Sequence, residues 1–192
     1  SMHTLSIDLV LHETAHNFGK LADEYDGTGN NNPACRIDSA IEANVSPLVS
    51  REQLKWNHWV DPLTAVPTLG TSTLSMPGLY RGSKYCDELY RPTPNSKMRS
   101  LGRPFDAINE EALILRIYAY VSPIDAVFPP TDRVLVSGLI PGNFTMTTPT
   151  PTSHPLTLQW YVGNQLVQTG GDLDAVNLPP GRSIVTVRVS DP

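Results

Sequence analysis

Long apolar runs are missing from this chain. No stretch approaches eighteen consecutive apolar residues, roughly the length that a helix needs to cross a bilayer, so no membrane span is expected. Basic clusters are missing as well. Lys and Arg number 14 against 19 Asp and Glu, a formal net charge of −5. Phosphate backbones are held by grouped Lys and Arg, so nucleic acid is not an expected partner. No secretory leader is visible. Ser1-Met2 reads as a short extension ahead of an internal start, so that absence says nothing about compartment. Cysteine is scarce: Cys35 and Cys86 only, without the CxxC spacing of a zinc knuckle. Both lie in polar, loop-like stretches, "NNPACRID" and "SKYCDELY". Two separated cysteines in such loops predict one disulfide and an exported protein, secreted or held at a cell surface or in a periplasm.

Proline is plentiful, at 18 of 192 residues, in short clusters that punctuate loops and strands rather than fill helices. The chain changes character near residue 125, which predicts one domain over 1–126 and a second over 127–192. A first helix is expected to start at Thr4 or Ser6, to run through "IDLVLHETAHNF" and to stop at Gly19, where a left-handed residue would end it. Leu9, Val10, Leu11 and Phe18 predict that this helix is buried. A short helix is expected at "SREQLKWNHW", since Ser50 and Gln53 have capping-box spacing. Residues 62–104 read as loops with a few short strands. A clearer helix is expected over 106–121, capped by Asp106, with Phe105, Ile108, Ala112, Leu115 and Ala119 at helical spacing and a face wide enough to be buried on most sides. Beyond Asp132, alternation takes over. "RVLVSG", "NFTMTT", "LTLQWYV", "QLVQTG" and "SIVTVRVS" are strand candidates, with Gly163-Asn164 as a two-residue hairpin turn. They predict a small β-sandwich of immunoglobulin-like type.

The stretch "HETAHNFGKLADEY", His12 to Tyr25, carries the chemistry. His12 and His16 are four residues apart, so a helix puts both imidazoles on one face, a turn apart, within reach of one metal ion. Glu13 follows the first histidine, where a general base of the HExxH type stands. Gly19 allows the chain to turn back and bring a third ligand from just beyond the helix. In the metzincin pattern HExxHxxGxxH, that ligand falls six residues after the second histidine. Here the position is Ala22, which cannot bind metal, and Asp23 is next. Asp23 is therefore the favoured third ligand. Glu24, His58 in "KWNHWV", and Glu110 or Glu111 on the later helix stay open. The loop "DEYDGTGNNN" has oxygen ligands without EF-hand spacing and is unassigned.

The same stretch resembles the HExxHxxGxxxDEY motif of the bacterial IgA-peptidase family of metzincin-like metallopeptidases. The later segment "YRPTPNSKMRS", Tyr90 to Ser100, is similar to the family's methionine turn; on its own, Met98 reads as a core filler. The resemblance covers about residues 5–125. It implies an α+β metzincin-like zinc peptidase domain, followed by a β-sandwich. His12, His16 and Asp23 would hold zinc, Glu13 would act as base, and Met98 would be the turn methionine. Such domains place a sheet subdomain before the active-site helix, yet only eleven residues precede His12. That subdomain is expected to be lacking or truncated, which puts the activity of this chain in question.

The function implied is a monomeric, secreted zinc endopeptidase acting on a protein or peptide substrate. Immunoglobulin A is the substrate that the family name carries, and no residue here specifies it. Tyr90, Arg91 and Arg99, around the methionine turn, are candidate substrate or oxyanion contacts. The alternative is a non-catalytic exported binding or adhesion module that retains a structural or vestigial metal site.

Overall fold

The computed structural model describes residues 5–27, 35, 40–70, 76–130, 142–152 and 154–191. The chain divides into two compact units, Ser1–Ala119 and Tyr120–Pro192, with few helices and small antiparallel sheets. No described helix is long and apolar enough to cross a membrane.

In the first unit, α1 (Ser6–Asn17) carries the paired histidines. Leu5 takes the N-cap position without a side-chain cap, and Thr4 lies outside the described residues. The stop after α1 differs from expectation. The positive φ belongs to Lys20, at 55°, not to Gly19. What Gly19 supplies is room: a Cβ there would meet Leu113 Cδ2 at 2.7 Å and the Ala15 carbonyl at 2.8 Å. The close approach of α1 to α2 (Ala107–Tyr118) therefore needs glycine.

The expected burial of α1 is corrected. Ile7, Leu9, Val10 and Leu11 are solvent-facing, because the apolar layer forms only on the His12–Ala15 side. There Ala15, Leu21 and Met98 pack with Phe105, Ala112 and Leu113. Helix α2 is likewise buried only at Ile108 and Asn109, while Ile114, Leu115 and Ile117 are exposed. Its start is as expected: Asp106 caps it by accepting from Asn109 N at 2.9 Å. The helix expected near residue 50 is two separate 3-10 turns, Arg51–Gln53 and Asn57–Trp59. The Ser50 hydroxyl bonds the Glu52 carboxylate rather than a backbone N–H, so no capping box forms.

Strands β1 (Tyr80–Ser83) and β2 (Cys86–Arg91) form an antiparallel hairpin. Its two-residue turn, Lys84-Tyr85, has φ of 50° and 59°, the left-handed pair that Asn-Gly adopts most cheaply. Cys86 is bonded to Cys35, with Cα atoms 4.9 Å apart and a sequence separation of 51. Closing a loop of that length stabilises the fold by about 4 kcal/mol on the chain-entropy account.

The second unit holds two three-stranded sheets, β3-β4-β7 and β6-β5-β8. The strands are β3 (Ala126–Phe128), β4 (Asn143–Thr147), β5 (Thr157–Val162), β6 (Gln165–Thr169), β7 (Leu173–Asp174) and β8 (Val185–Ser190). Both sheets contribute to one core, in which Met146, Trp160 and Leu173 are buried against Phe144, Leu158 and Val187. Gly163-Asn164 joins β5 to β6, with Val162 paired to Gln165. The strand candidate "RVLVSG" lies outside the described residues.

The cap of α2 generates a stability test. Asp106 also accepts from Thr93 Oγ1 at 2.6 Å, and burial pushes its carboxyl above the ordinary 3.8. Asp106→Ala should cost roughly 2 kcal/mol in urea denaturation, from the lost cap and the stranded hydroxyl. Asp106→Asn should keep the cap and cost much less. The folded state holds this proton to higher pH than the unfolded state does. Its contribution to stability is therefore full below 3.8 and falls as pH rises above it. Asp106→Asn should remove that part of the pH slope.

Candidate metal centre

One turn of α1 brings His12 Nε2 and His16 Nε2 to 3.0 Å from each other, with the rings perpendicular. The opposite ring nitrogens are both engaged. His12 Nδ1 donates to Lys97 O at 2.9 Å and His16 Nδ1 to Leu21 O at 2.8 Å. A carbonyl oxygen only accepts, so Nδ1 carries a proton in both rings, and in the neutral tautomer each Nε2 presents a lone pair. Asp23 Oδ1 completes a triangle, 3.2 Å from each Nε2. It is buried and has no hydrogen-bond partner. With neutral rings, three acceptors face one point, and a buried orphan of this kind calls for an explanation. A cation at that point supplies one.

The donor set fits a divalent metal. Two neutral imidazoles and a carboxylate are a zinc-type set, and ligands at about 2.0–2.2 Å in tetrahedral arrangement stand roughly 3.3 Å apart. The edges here, 3.0, 3.2 and 3.2 Å, are close to that, and three ligands leave the fourth position open. Among the described residues, the other group with suitable atoms is Cys35, Cys86 and Glu88. Its sulfurs are joined as a disulfide and offer no thiolate.

The triangle is held from below. Met98 is fully buried, packs with Ala15 and Leu21, and accepts at its carbonyl from Glu24 N at 2.9 Å. Glu24 is 0% exposed and points away from Asp23. Its carboxylate accepts from Asn44 Nδ2 at 2.9 Å, Ser96 Oγ at 2.7 Å and Asn109 Nδ2 at 3.2 Å. Burial pushes its pKa up to about 7, the nearby Asp106 adds to the rise, and the three donors oppose it. From above, the hairpin turn grips the same segment: Lys84 N and Ser83 Oγ donate to Asp23 O, and Tyr85 N donates to Tyr25 O. Burial raises the Tyr25 phenol above its usual range, and Asp23, Tyr85 and Glu13 act in the same direction.

The other candidates are placed elsewhere. His58 Nε2 is 3.0 Å from the Glu111 carboxylate, which also accepts from Trp59 Nε1 at 2.8 Å. Arg91 is buried; it donates to Asp26 Oδ1 and Gly82 O, each at 2.7 Å. Arg99 reaches Glu24 O at 2.9 Å and both oxygens of Asp26. Burial raises the Asp26 carboxyl, but these two guanidiniums outweigh it and hold the pKa below the ordinary value. Tyr90 packs beside Leu54, Trp56 and Leu79. A cavity of about 370 Å³ opens between Asp26, Tyr80, Arg81 and Arg91, and none of its lining residues is a ligand candidate. Glu13 is exposed on α1 beside His12.

Asn44, Ser96 and Asn109 escaped the sequence, since isolated polar residues in loops and at a helix start have no period. Glu24 gave a usable signal. Neighbouring residues in an extended segment point to opposite sides, so a metal-facing Asp23 leaves Glu24 facing inward and Tyr25 outward.

No curated protein matches the chain. Residues 4–75 match the family model described as IgA Peptidase M64, a stretch that holds all three corners of the triangle and Glu13. The part of the chain that carries "HETAHNFGKLADEY" is thus similar to the IgA Peptidase M64 family.

Proposed function

We propose that the chain is the metal-binding part of an exported zinc endopeptidase, with His12, His16 and Asp23 as ligands and Glu13 as general base. The observation that carries this is the triangle of His12 Nε2, His16 Nε2 and an orphaned, buried Asp23 Oδ1. The family match supports a peptidase. The disulfide supports an oxidising compartment.

A bound zinc ion supplies a Lewis acid and makes water acidic enough to lose a proton near pH 7. The protein does the rest. Glu13, next to His12 on the exposed side of α1, accepts a proton from the attacking water and returns it to the leaving amine. The two Nδ1–H bonds to Lys97 O and Leu21 O hold the imidazoles in the neutral, ligating tautomer. Asp23 adds one negative charge to two neutral rings and is fixed by the bonds to its own carbonyl. Met98, packed against Ala15 and Leu21, would be the turn methionine beside the residues that hold the metal. The substrate class is protein, with immunoglobulin A as the example that the family description names.

Two measurements test this. Zinc affinity by competition with a chelating dye should be one-to-one. It should fall in Asp23→Ala by more than the roughly 10–100-fold that loss of an outer partner costs. His58→Ala should leave it unchanged, and equal affinity in wild type and Asp23→Ala would refute the ligand set. Glu13→Gln should keep the zinc and lower turnover of a protein substrate by roughly 10²–10⁴-fold. Unchanged turnover would remove Glu13 from the reaction.

A further inference from the structure

Lys97, in the loop that leads to Met98, is a buried lysine, 6% exposed. Its ammonium meets the Asp8 carboxylate and lies over the Phe105 ring, 5.8 Å from the centroid. Its carbonyl accepts from His12 Nδ1 at 2.9 Å. Asp8 and His12 are four residues apart on α1, hence one turn apart on the same face. A single residue therefore holds that face at two points, with its side chain at Asp8 and its main chain at His12. Lys97 is itself anchored from the other direction. Its N–H donates to Pro104 O at 2.7 Å, and the turn that follows is closed by Arg99 N and Ser100 N on Ser96 O, at 3.0 and 2.9 Å.

Packing alone would not select this pair. Taking an ammonium out of water is costly, and apolar residues of similar size in place of a buried pair are often as stable or more so. A favourable helix-end charge accounts for Asp8 only. A carboxylate in the first turn of α1, which has no side-chain cap, is stabilising whatever it faces, and that gives no reason for a lysine to be buried opposite. What the pair adds is a second point of attachment. The first turns of α1 are otherwise loosely held, with Ile7, Leu9, Val10 and Leu11 facing solvent. One hydrogen bond to an imidazole leaves such a helix free to turn about its axis, and a contact one turn away fixes the angle. That angle sets where His12 Nε2 points, 3.0 Å from His16 Nε2 and 3.2 Å from Asp23 Oδ1.

We propose that Asp8 and Lys97 are positioning residues of the metal centre: their ion pair fixes the rotation of α1, and with it the direction in which His12 presents Nε2. This rests on the reading of His12, His16 and Asp23 as metal ligands given above. The pair touches none of the three ligand atoms. It acts through the helix turn between Asp8 and His12 and through the Lys97 carbonyl.

The probes are zinc, by competition with a chelating dye, and cobalt(II), by its visible absorption, on the full chain. Lys97→Met keeps the stem and the carbonyl and removes the ammonium; Asp8→Ala removes the carboxylate. Charge and position predict different signs. If the pair acted only through its charges, loss of the cation would tighten zinc and loss of the anion would weaken it. Positioning makes both variants weaken zinc, by roughly 10–100-fold as for other outer partners, makes the double variant no weaker than either single one, and shifts the cobalt bands in all three. Asp8→Glu, which keeps the pair, should stay close to the wild type in both readouts. Zinc affinity that is unchanged or tighter in Lys97→Met, or effects that add in the double variant, overturns the positioning role and leaves the ligand set standing. Should Lys97→Met not fold, the cobalt bands of Asp8→Ala decide: shifted bands support the role, and bands like those of the wild type overturn it. A wild type that binds neither ion overturns the metal reading, and the positioning with it.

Discussion

A single buried carboxylate organises the first unit. Glu24 has no solvent contact, and its oxygens are met by side chains from three distant points of the chain, Asn44, Ser96 and Asn109. An isolated buried carboxylate is costly, and the cost is offset only when its lone pairs are matched. Each of the three donors is therefore constrained to its place. Asn44 fixes the bend before the Ser46–Tyr90 bridge, Ser96 fixes the loop that leads to Met98, and Asn109 fixes the first turn of α2. Asp23 is the preceding residue, so its position follows from the same set of bonds. Removing Asn44 or Asn109 would loosen the corner formed by His12, His16 and Asp23 without touching any of the three.

The triangle is fixed by main-chain hydrogen bonds. Both imidazoles are oriented by main-chain carbonyls, and the Asp23 backbone is held by the hairpin turn. Side chains held in this way are pre-organised, as a selective site requires. The arrangement also explains why position 23 rather than 22 faces the histidines. Ala22 is buried, and Asn44 bonds both its N–H and its carbonyl, so the first residue able to face the histidines is the next one.

The legible features were local. The four-residue spacing of His12 and His16, the cap at Asp106 and the turn at Gly163-Asn164 each depend on neighbours in sequence, and each is found where the pattern put it. Asp23 was reachable for the same reason, because it lies a short turn beyond α1. What failed depended on distant partners. Leu9, Val10 and Leu11 gave α1 an apolar character, but periodicity does not say which faces other elements cover. Ser50 had the right partner at the right distance for a capping box, yet the nearer Glu52 took its hydroxyl. Gly19 was right as a breakpoint and wrong as to cause: the space that it leaves for Leu113 is tertiary.

The Cys35–Cys86 bond has a consequence beyond the stabilisation of the fold. It spans the stretch that includes Leu63 and Leu69, both over 90% exposed, where another protease, or a second copy of this one, would find accessible chain. A single cut anywhere between the two cysteines would leave the fragments covalently joined. The piece bearing His12, His16 and Asp23 would remain tethered to the one bearing Met98 and Asn109, with the hairpin beside the tether. Nicking would then change the pattern of bands after reduction while leaving the metal corner assembled.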